Sequence, residues 1–352
     1  MAPSLLTAWE RLAALTVEVE RIELERLERQ VSSGFRRVTT VIHLHGGGEE
    51  GVGEDVTYVA ALHDGLSPPS GLEGTRPLGE LTELIDSTDL FPVAPEHDVY
   101  RSYRRWGWES AALDLALRQA GTSFARALER EPQPVTFVMS SRLGDPPTAD
   151  IARRWLELYP TLRFKLDPTP AWDDGLIADL ADTGAVDTLD LKGAYRGTTV
   201  DNPPDAELYR RVAEGFPNAW IEDPGLTPET DAALEPHRVR VTWDAVIHSV
   251  EDVEALPFPP RALNCKPSRF GSIRELFRFY DHCAQRGISL YGGGQFELGP
   301  GRGQIQYLAS LLHPDTPNDV APGDYNSPEP RPGLPPSPLE PAAAPTGFRL
   351  ES

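Results

Sequence analysis

Three features are scarce in this sequence: cysteine, long apolar runs and basic residues. Its 352 residues include two cysteines, Cys265 and Cys283, whose spacing fits neither a metal site nor a redox motif, which favours a reduced, cytoplasmic setting. No apolar stretch approaches the ~20 residues that a bilayer-spanning helix needs. Lys and Arg total 33 against 54 Asp and Glu, and the net charge of −21 argues against nucleic acid or an anionic membrane as a partner.

The remaining composition is that of a globular α/β protein with two parts. Hydrophobic residues make up 39% of a chain that is long enough for a barrel and a smaller domain. Strand-like residues from about 16 to 62 and helical periodicity at 77–88 and 108–130 predict an α+β capping domain over residues 1–130. Beyond it, short apolar runs alternate with helical segments, which predicts a TIM-type (β/α)7–8 barrel over residues 131–325.

The last segment, residues 326–352, is rich in proline. Eight prolines fall between Pro328 and Pro345. Because proline lacks a backbone N–H group and fixes φ, this stretch is neither a helix nor a central strand. We expect an extended tail that packs on the N-terminal domain and completes it.

Four charged residues stand at the ends of short apolar runs in the second half of the chain. They are Asp190 in Leu189-Asp-Leu-Lys-Gly193, Glu222 in Trp220-Ile-Glu-Asp-Pro224, Asp244 in Val241-Thr-Trp-Asp-Ala245 and Lys266 in Leu263-Asn-Cys-Lys-Pro267. The intervals of 32, 22 and 22 residues each fit one strand plus one helix, so successive βα units place all four at one rim. Three carboxylates there predict a Mg²⁺ site, with Mn²⁺ as the alternative ion, and the lysine is a candidate proton carrier.

Further motifs follow one another along nearly the whole chain. They are Gly51-Val-Gly-Glu-Asp55, the segment from Glu109 to Leu117, Ile221-Glu-Asp-Pro224, Lys266-Pro-Ser-Arg-Phe-Gly271, and Gly292-Gly-Gly-Gln-Phe-Glu-Leu-Gly299 followed by Gly301-Arg-Gly303. In order and spacing they resemble the enolase superfamily, in its muconate cycloisomerase and o-succinylbenzoate synthase-like branch (the mandelate racemase/muconate lactonizing enzyme family). The resemblance implies a capping domain, a barrel and a small carboxylate as substrate.

Carried over by position, the resemblance assigns roles to the charged residues. It makes Asp190, Glu222 and Asp244 the Mg²⁺ ligands; in the family the metal holds the substrate carboxylate and stabilises the enediolate that forms when the α-proton leaves. Lys266 would be the acid/base on one face of that intermediate. Because an α-proton of a carboxylate is very weakly acidic, such chemistry needs a divalent cation and other cations close by.

The second- and third-strand motifs depart from the family. The family usually carries Lys-x-Lys on the second strand, whose second lysine is the acid/base on the other face; here the residues are Lys165-Leu-Asp167. On the third strand, Asp-x-Asn is replaced by Asp190-Leu-Lys192. One hypothesis is that the lysine has moved one strand over and that Asp167 orients Lys192. The alternative is that Asp167 and Lys192 form a structural ion pair. Lys165, Asp167, Lys192 and Lys266 are thus the candidate catalytic residues.

Three other features receive a structural interpretation. His43 and His45 alternate along a predicted strand at metal-like spacing, but their place in the small domain favours a structural role. The glycine-rich run Gly46–Gly53 lacks the Lys-Ser/Thr of a phosphate loop and predicts a hairpin or a lid, whose first residues would contribute to specificity. Asp223, next to Glu222, is expected to point out of the barrel because strand side chains alternate.

The function indicated is Mg²⁺-dependent removal of a proton α to a carboxylate, by an isomerase or a lyase. Loss of the second-strand lysine favours cycloisomerisation or β-elimination (dehydration) over epimerisation, which needs a proton carrier on each face. The alternatives are a non-catalytic or diverged metal-binding barrel, favoured by the altered Lys-x-Lys motif, and a hydrolase with paired carboxylates, which would not need the lysine. The substrate does not follow from the sequence, and a homo-oligomer is common for barrels of this size.

Overall fold

The computed structural model describes residues 4–30, 36–195, 202–327 and 329–350. The N-terminal part of the described chain combines helices with two antiparallel sheets, one of order β2-β3-β4 and one pairing β1 with β5. It is an α+β unit, as the sequence predicts. In chain order the elements are α1 (Leu5–Ala13), β1 (Thr16–Val19), β2 (Arg21–Gln30), β3 (Arg36–Gly46), β4 (Glu49–Asp55), β5 (Gly74–Pro77), α2 (Leu78–Ser87), α3 (Val99–Gln119) and α4 (Phe124–Leu128).

The second part alternates strands with helices, and its strands are parallel. One sheet has the order β10-β9-β8-β7-β6, and another pairs β11 with β12. The predicted α/β class with a parallel sheet is confirmed. The elements are β6 (Val138–Ser141), α5 (Asp150–Leu158), β7 (Arg163–Leu166), α6 (Asp174–Ala181), β8 (Val186–Asp190), α7 (Ala206–Gly215), β9 (Trp220–Glu222), α8 (Pro228–Leu234), β10 (Val241–Thr242), α9 (Val250–Glu254), β11 (Ala262–Cys265), α10 (Pro267–Phe270), α11 (Ile273–Arg286), β12 (Ser289–Gly292) and α12 (Pro300–Leu312), with 3₁₀ turns at Ala60–His63, Glu235–Arg240 and Gly323–Asn326.

Several helices of the second part begin where the sequence offers a capping side chain. Asp205 accepts two backbone N–H groups at the start of α7, Thr227 accepts one at α8, and Ser272 accepts one at α11. A capping oxygen satisfies N–H groups that the first helical turn leaves free, so it fixes where the helix starts. The short polar segment between each strand end and the capping residue of the next helix therefore lies at the edge of the sheet.

Backbone hydrogen bonds also connect the two parallel sheets. The N–H group of Asn264 on β11 donates to the carbonyl oxygen of Trp243, just after β10, at 3.0 Å. On the other side, residues 318–319 accept a bond of 2.8 Å from the N–H group of Val138 on β6 and donate one of 2.7 Å to the carbonyl of Gly292 on β12. Residues 318–319 thus lie between the first and the last strand of this part.

Two buried charged residues hold the N-terminal part against the second part. Arg37 donates to the backbone carbonyl groups of residues 56–57 on its own side and of residues 295–296 across the interface. Glu54, at the end of β4, accepts three backbone N–H groups from residues 298–301 at the start of α12, the shortest bond being 2.6 Å. A helix N-terminus favours a carboxylate, so Glu54 fixes α12 and the loop before it to the capping sheet.

The glycine-rich run Gly46–Gly53 contains the predicted hairpin: Gly47 and Gly48 connect β3 to β4, and Gly46 pairs with Glu49 across the turn. Strand β4 packs directly on helix α3, and a Cβ at Gly53 would overlap the carbonyl oxygen of Gly107. Glycine is needed there because the two backbones approach each other closely. Gln119, the last residue of α3, donates to the carbonyl oxygen of Gly46 at 2.8 Å and so holds the turn against α3.

Helix boundaries differ from the expected ones at the N-terminal part. A helix, α1, precedes the predicted strands, and its buried residues Leu5, Ala8, Trp9 and Leu12 recur with helical spacing. Helix α3 begins at Val99 rather than near residue 108. Its first two turns are rich in Arg and Tyr and are only partly buried, so they lack a clear apolar stripe.

The C-terminal tail contacts both parts of the molecule. It first pairs with the residues just before β6 and then reaches α3, where Phe348 N and Arg349 Nε donate to the carboxylate of Asp114 at 2.6 and 2.9 Å. Asp114 is fully buried and also accepts the N–H group of Val52 on β4 at 2.9 Å. One carboxylate therefore joins the tail, helix α3 and the capping sheet.

Replacing Asp114 with alanine is expected to lower the free energy of unfolding by about 3–5 kcal/mol, because it leaves Arg349 and two backbone N–H groups without their acceptor. Urea unfolding followed by circular dichroism measures the change. Asp174→Ala is the matched control, since the side chain of Asp174 is 87% exposed and its loss should cost no more than about 0.5 kcal/mol. A loss below about 1 kcal/mol for Asp114→Ala would show that the tail is not held by this carboxylate.

Candidate metal centre and active site

Five charged side chains converge at the carboxyl ends of neighbouring strands. Lys165 lies on β7, Asp190 and Glu222 end β8 and β9, and Asp244 and Lys266 follow β10 and β11 within two residues. All five side chains are buried. The intervals of one strand plus one helix thus bring the residues chosen from the sequence to one place.

Lys165 stands between the carboxylates of neighbouring strands. Its ammonium group contacts Glu222 Oε1 and lies 3.2 Å from Asp190 Oδ2 and 3.6 Å from Asp319 Oδ2. The second oxygen of Glu222 accepts a hydrogen bond of 2.5 Å from the hydroxyl of Tyr291. Lys165 is 2% exposed, so it is a buried cation held on several sides by acidic oxygens.

Asp244 is bound by two cations. Its Oδ1 accepts a hydrogen bond of 2.6 Å from Arg269 Nη1, and its Oδ2 accepts one of 2.8 Å from Lys266 Nζ. The hydroxyl of Tyr195 donates to the same Oδ2 at 3.3 Å. Asp244 is therefore oriented toward Lys266 and Arg269, and its two oxygens are both engaged by donors.

Lys192 and Asp167 lie together beside Asp190. Lys192 Nζ contacts the carboxylate of Asp190 and lies 3.6 Å from Asp167 Oδ1, while the exposed Arg142 is 3.4 Å from Asp167 Oδ2. Lys192 has a φ of 56°, so its backbone has left the strand conformation. The two residues that depart from the family motifs thus form one ion pair at the edge of the site.

Asp223 belongs to the site, so the expectation that it points away is wrong. Its φ of 47° interrupts the alternation that an extended strand would impose. Its carboxylate accepts the N–H groups of Asp244 and Ala245, each at 2.8 Å. One oxygen each from Asp190, Glu222 and Asp223 lie within 4.8 Å of one another. Adjacency to Glu222 was the one sequence signal that pointed to it.

The chain has only three lysines, and all of them are in this site. The other 30 basic residues are arginines. Lys165, Lys192 and Lys266 each contact at least one carboxylate at the strand ends. A chain that uses arginine everywhere else therefore keeps the compact, tunable ammonium group of lysine for this cluster.

The charges of the site do not balance within the protein. We call the following residues the rim cluster: the carboxylates Asp167, Asp190, Glu222, Asp223, Asp244 and Asp319, and the cations Lys165, Lys192, Lys266 and Arg269. With all six carboxylates ionised, the cluster exceeds its four cations by two negative charges, the magnitude of the charge of one divalent cation; the exposed Arg142 beside Asp167 lies outside this count. Carboxylate oxygens are the ligands that Mg²⁺ prefers. Asp167 Oδ1 and the amide oxygen of Asn264 are buried without a hydrogen-bond partner. The residues present therefore fit a Mg²⁺ ion.

The proton affinities of the rim cluster show the same shortage of positive charge. Burial raises the pKa of Glu222 to about 8 in spite of Lys165, because the carboxylates of Asp190 and Asp244 oppose another negative charge. Burial would also raise the pKa of Asp190, but Lys192 and Lys165 lower it below its ordinary value. The raised pKa of Glu222 shows that the cations of the cluster do not offset its buried negative charge, and a bound metal ion would lower that pKa.

Comparison with sequence families identifies a relationship for both parts of the chain. Family models described as the N-terminal and C-terminal domains of a domain of unknown function, DUF8230, match residues 10–127 and 131–327. The chain belongs to the DUF8230 family. The description of this family names no activity.

Curated relatives of this DUF8230 protein are enzymes. An o-succinylbenzoate synthase from Geobacillus kaustophilus is 28% identical over 223 residues, which span 60% of this chain and 57% of that protein. An N-succinylamino acid racemase from Amycolatopsis sp is 25% identical over 327 residues, which span 88% of this chain and 87% of that protein. The chain thus matches little more than half the length of the first relative and nearly all of the second.

Solved structures share the fold of this DUF8230 protein. A member of the enolase superfamily from Listeria innocua has a TM-score of 0.65 and 17% identity, covering 88% of this chain and 86% of that one. A dipeptide epimerase from Methylococcus capsulatus, complexed with Mg ion, has a TM-score of 0.62 and 16% identity, covering 86% and 89%. The predicted likeness to the enolase superfamily is confirmed, and its fold implies an N-terminal capping domain followed by a barrel.

In the part of the chain that the structure describes, no helix combines the length and the apolar character that a bilayer crossing needs.

Calorimetric titration with Mg²⁺ is expected to give one bound ion per chain, and Asp190→Asn is expected to weaken binding by about tenfold or more, because it removes a ligand charge from the rim cluster. Asp187→Asn is the matched control: Asp187 lies on the same strand, and its carboxylate pairs with Arg163 away from the cluster. Failure of the unmodified protein to bind Mg²⁺, or equal binding by both variants, would contradict a metal centre at this rim.

Proposed function

We propose that this DUF8230 protein is a Mg²⁺-dependent enzyme that removes a proton α to the carboxylate of a small substrate. The observation that carries the proposal is the rim cluster, in which buried carboxylates meet all three lysines of the chain and retain two unbalanced negative charges. The similarity to a synthase and a racemase, and the Mg ion in a structure of the same fold, support it. The fold-level part of the proposal is that the two parallel sheets form one closed barrel, supported by the bonds through residues 318–319.

The ligands for the ion are drawn from the rim cluster. Asp190 and Glu222 would hold it, together with Asp223, whose oxygen is already within 4.8 Å of theirs. Asp244, the third ligand predicted from the sequence, would join them by giving up a contact with Lys266 or Arg269. Bound there, Mg²⁺ would supply positive charge next to the carboxylate of a substrate.

Lys266 is the proton carrier in this proposal. Its ammonium group has one carboxylate partner among the described ion pairs, Asp244 at 2.8 Å, which orients it. A Cβ at Gly293 would lie 2.8 Å from Lys266 Cε, so the glycine leaves room beside the lysine. Lys165 differs, because three carboxylates surround it. Burial would lower the pKa of Lys165, but Glu222 and Asp190 raise it well above its ordinary value, so it keeps its proton.

The reaction class that fits one proton carrier is cycloisomerisation or β-elimination. Burial would lower the pKa of Lys192, but Asp167 and Asp190 raise it, so Lys192 is held as a cation rather than as a second base. A substrate anion near it would gain charge stabilisation without a proton transfer. Asp167 is then the residue that positions this cation.

Two observations favour other functions, a racemase and a non-catalytic metal-binding protein. The similarity to an N-succinylamino acid racemase spans nearly the whole chain, and a racemase would use Lys192 on the face opposite Lys266. The replacement of the second-strand lysine by Asp167 favours a non-catalytic metal-binding protein. Exchange of the α-proton with solvent, and the enantiomer from which it occurs, distinguishes the one-carrier enzyme, the racemase and the non-catalytic protein.

Exchange of the α-proton in D₂O tests the proposal directly. With Mg²⁺ and a panel of N-succinylamino acids and other carboxylates, the protein is expected to replace an α-proton by deuterium in at least one compound, as seen by NMR. Lys266→Met should lower the rate by about 10²–10⁴-fold, the usual contribution of a general base. Arg278→Met is the control, because Arg278 lies on the surface of α11. Mg²⁺ binding without any exchange would favour the non-catalytic alternative.

The role of Lys192 is tested with both enantiomers of an exchanging substrate. If Lys192 supplies charge alone, Lys192→Met should reduce exchange of the reactive enantiomer by up to about 10²–10³-fold and should not change which enantiomer exchanges. Loss of exchange from one enantiomer only, with exchange from the other retained, would contradict the one-carrier proposal. It would identify a racemase whose second base is Lys192.

A further inference from the structure

Carboxylates and imidazoles alternate across the capping sheet, away from the rim cluster. His43 Nδ1 lies 2.9 Å from Glu50 Oε1, and His43 Nε2 lies 3.4 Å from Glu25 Oε2. His45 Nε2 lies 4.0 Å from the same Glu50 oxygen and 3.4 Å from Glu23 Oε2. Glu50 is thus shared by the two histidines.

Strand register explains why these side chains meet. His43 and His45 are two residues apart on β3 and therefore point to the same face of the sheet. Glu23 on β2 is directly opposite His43, and Glu50 on β4 is directly opposite His45. The rings of the two histidines are parallel, with centroids 6.3 Å apart.

The ring nitrogen His45 Nε2 is a free ligand atom within this group. It is shielded from solvent and makes no hydrogen bond, although two carboxylate oxygens lie within 4.0 Å. A neutral imidazole with an unused nitrogen is the form that binds a metal ion.

We propose that His43, His45 and Glu50 form a second metal site, for a transition-metal ion of the Zn²⁺ type. Around tetrahedral zinc, with bonds of about 2.0–2.1 Å, neighbouring ligand atoms lie roughly 3.4 Å apart. Each imidazole has a nitrogen 2.9 to 4.0 Å from the shared Glu50 oxygen, but the ring centroids are 6.3 Å apart, so both rings must rotate toward Glu50 before their nitrogens reach this spacing. Imidazole ligands favour Zn²⁺ over Mg²⁺, which separates this site from the rim cluster.

Charge and access both suit a divalent cation. Glu23, Glu25 and Glu50 bring three negative charges, and Arg21, which pairs with Glu23, brings one positive charge. The group therefore carries an excess of two negative charges when its histidines are neutral. Glu23, Glu25, His43 and Glu50 line an open groove of about 540 Å³, so a hydrated ion can reach these four side chains, and the shielded Nε2 of His45 must rotate toward the groove to join them.

The second site is separate from the proposed catalytic centre and does not depend on it. Arg37, on the same strand, contacts the loop of the second part, and His43 lies six residues further along. At about 3.3 Å per residue, the histidines are roughly 20 Å from that interface. A Zn²⁺ ion bound to β3 and β4 would tie the two strands together and stabilise the capping sheet.

Titration with Zn²⁺ in the presence of excess Mg²⁺ tests the proposal, and the two histidine variants separate binding at this site from binding at the rim cluster. One Zn²⁺ is expected to bind per chain and to raise the melting temperature. His43→Gln and His45→Gln should each weaken binding by about tenfold or more. His97→Gln is the control, since His97 is exposed and lies outside β3.

X-ray absorption at the zinc edge on the unmodified protein gives a second readout that does not depend on the folding of any variant. Two imidazole nitrogens at about 2.0 Å are expected in the first coordination shell. A shell of oxygen atoms alone, or Zn²⁺ affinity unchanged in both histidine variants, would overturn the second site. Neither result would bear on the proton-abstraction activity, which rests on the rim cluster.

Discussion

The burial of four carboxylates at one edge of the parallel strands, with two more half-buried beside them, is the constraint on which the site depends. A buried charge without a partner is costly, so each carboxylate must meet a cation or a set of backbone donors. Asp244 meets Lys266 and Arg269, and Asp223 meets two backbone N–H groups. The cations present still leave two negative charges, and a protein that folds around such an excess is suited to hold a divalent ion. The fold, the charges and the proposed chemistry are therefore linked through one electrostatic requirement.

The distribution of lysine supports the same view from the sequence. Arginine supplies 30 of the 33 basic residues and makes the surface ion pairs on helices such as α7 and α11. Lysine occurs where a compact ammonium group reaches between carboxylates, and where its proton affinity can be set by burial and by neighbouring charges. Lys165 and Lys192 are held as cations by the acids around them, and Lys266 is the least enclosed by acidic groups. One residue type thus provides both fixed charge and a proton carrier.

Much of this arrangement could be predicted from the sequence, because the interval between strand ends is set by the length of a βα unit. Asp190, Glu222 and Lys266 meet for that reason. Asp223 could not be predicted, since its position depends on a positive φ that interrupts the alternation of side chains. The hairpin at Gly46–Gly53 could also be predicted, but Gly51 and Gly53 of β4 are required by the close approach of α3, a contact between distant segments that no local pattern shows. Local patterns therefore predicted the alternation of strands and helices, whereas the position of Asp223 and the need for glycine in β4 depend on backbone conformation and tertiary contacts.

The most direct test of the central claim is NMR of protein labelled with ¹³C at lysine Cε. Because the chain has three lysines, the spectrum should contain three lysine signals. If all three lysines share one site with a divalent ion, addition of Mg²⁺ should shift every signal in a single saturating transition, and Mn²⁺ should broaden all of them. Signals of Lys165, Lys192 and Lys266 that stay unchanged at saturating Mg²⁺ would show that the lysines and the ion do not share a site. That result would remove the basis for the proposed metal-dependent chemistry.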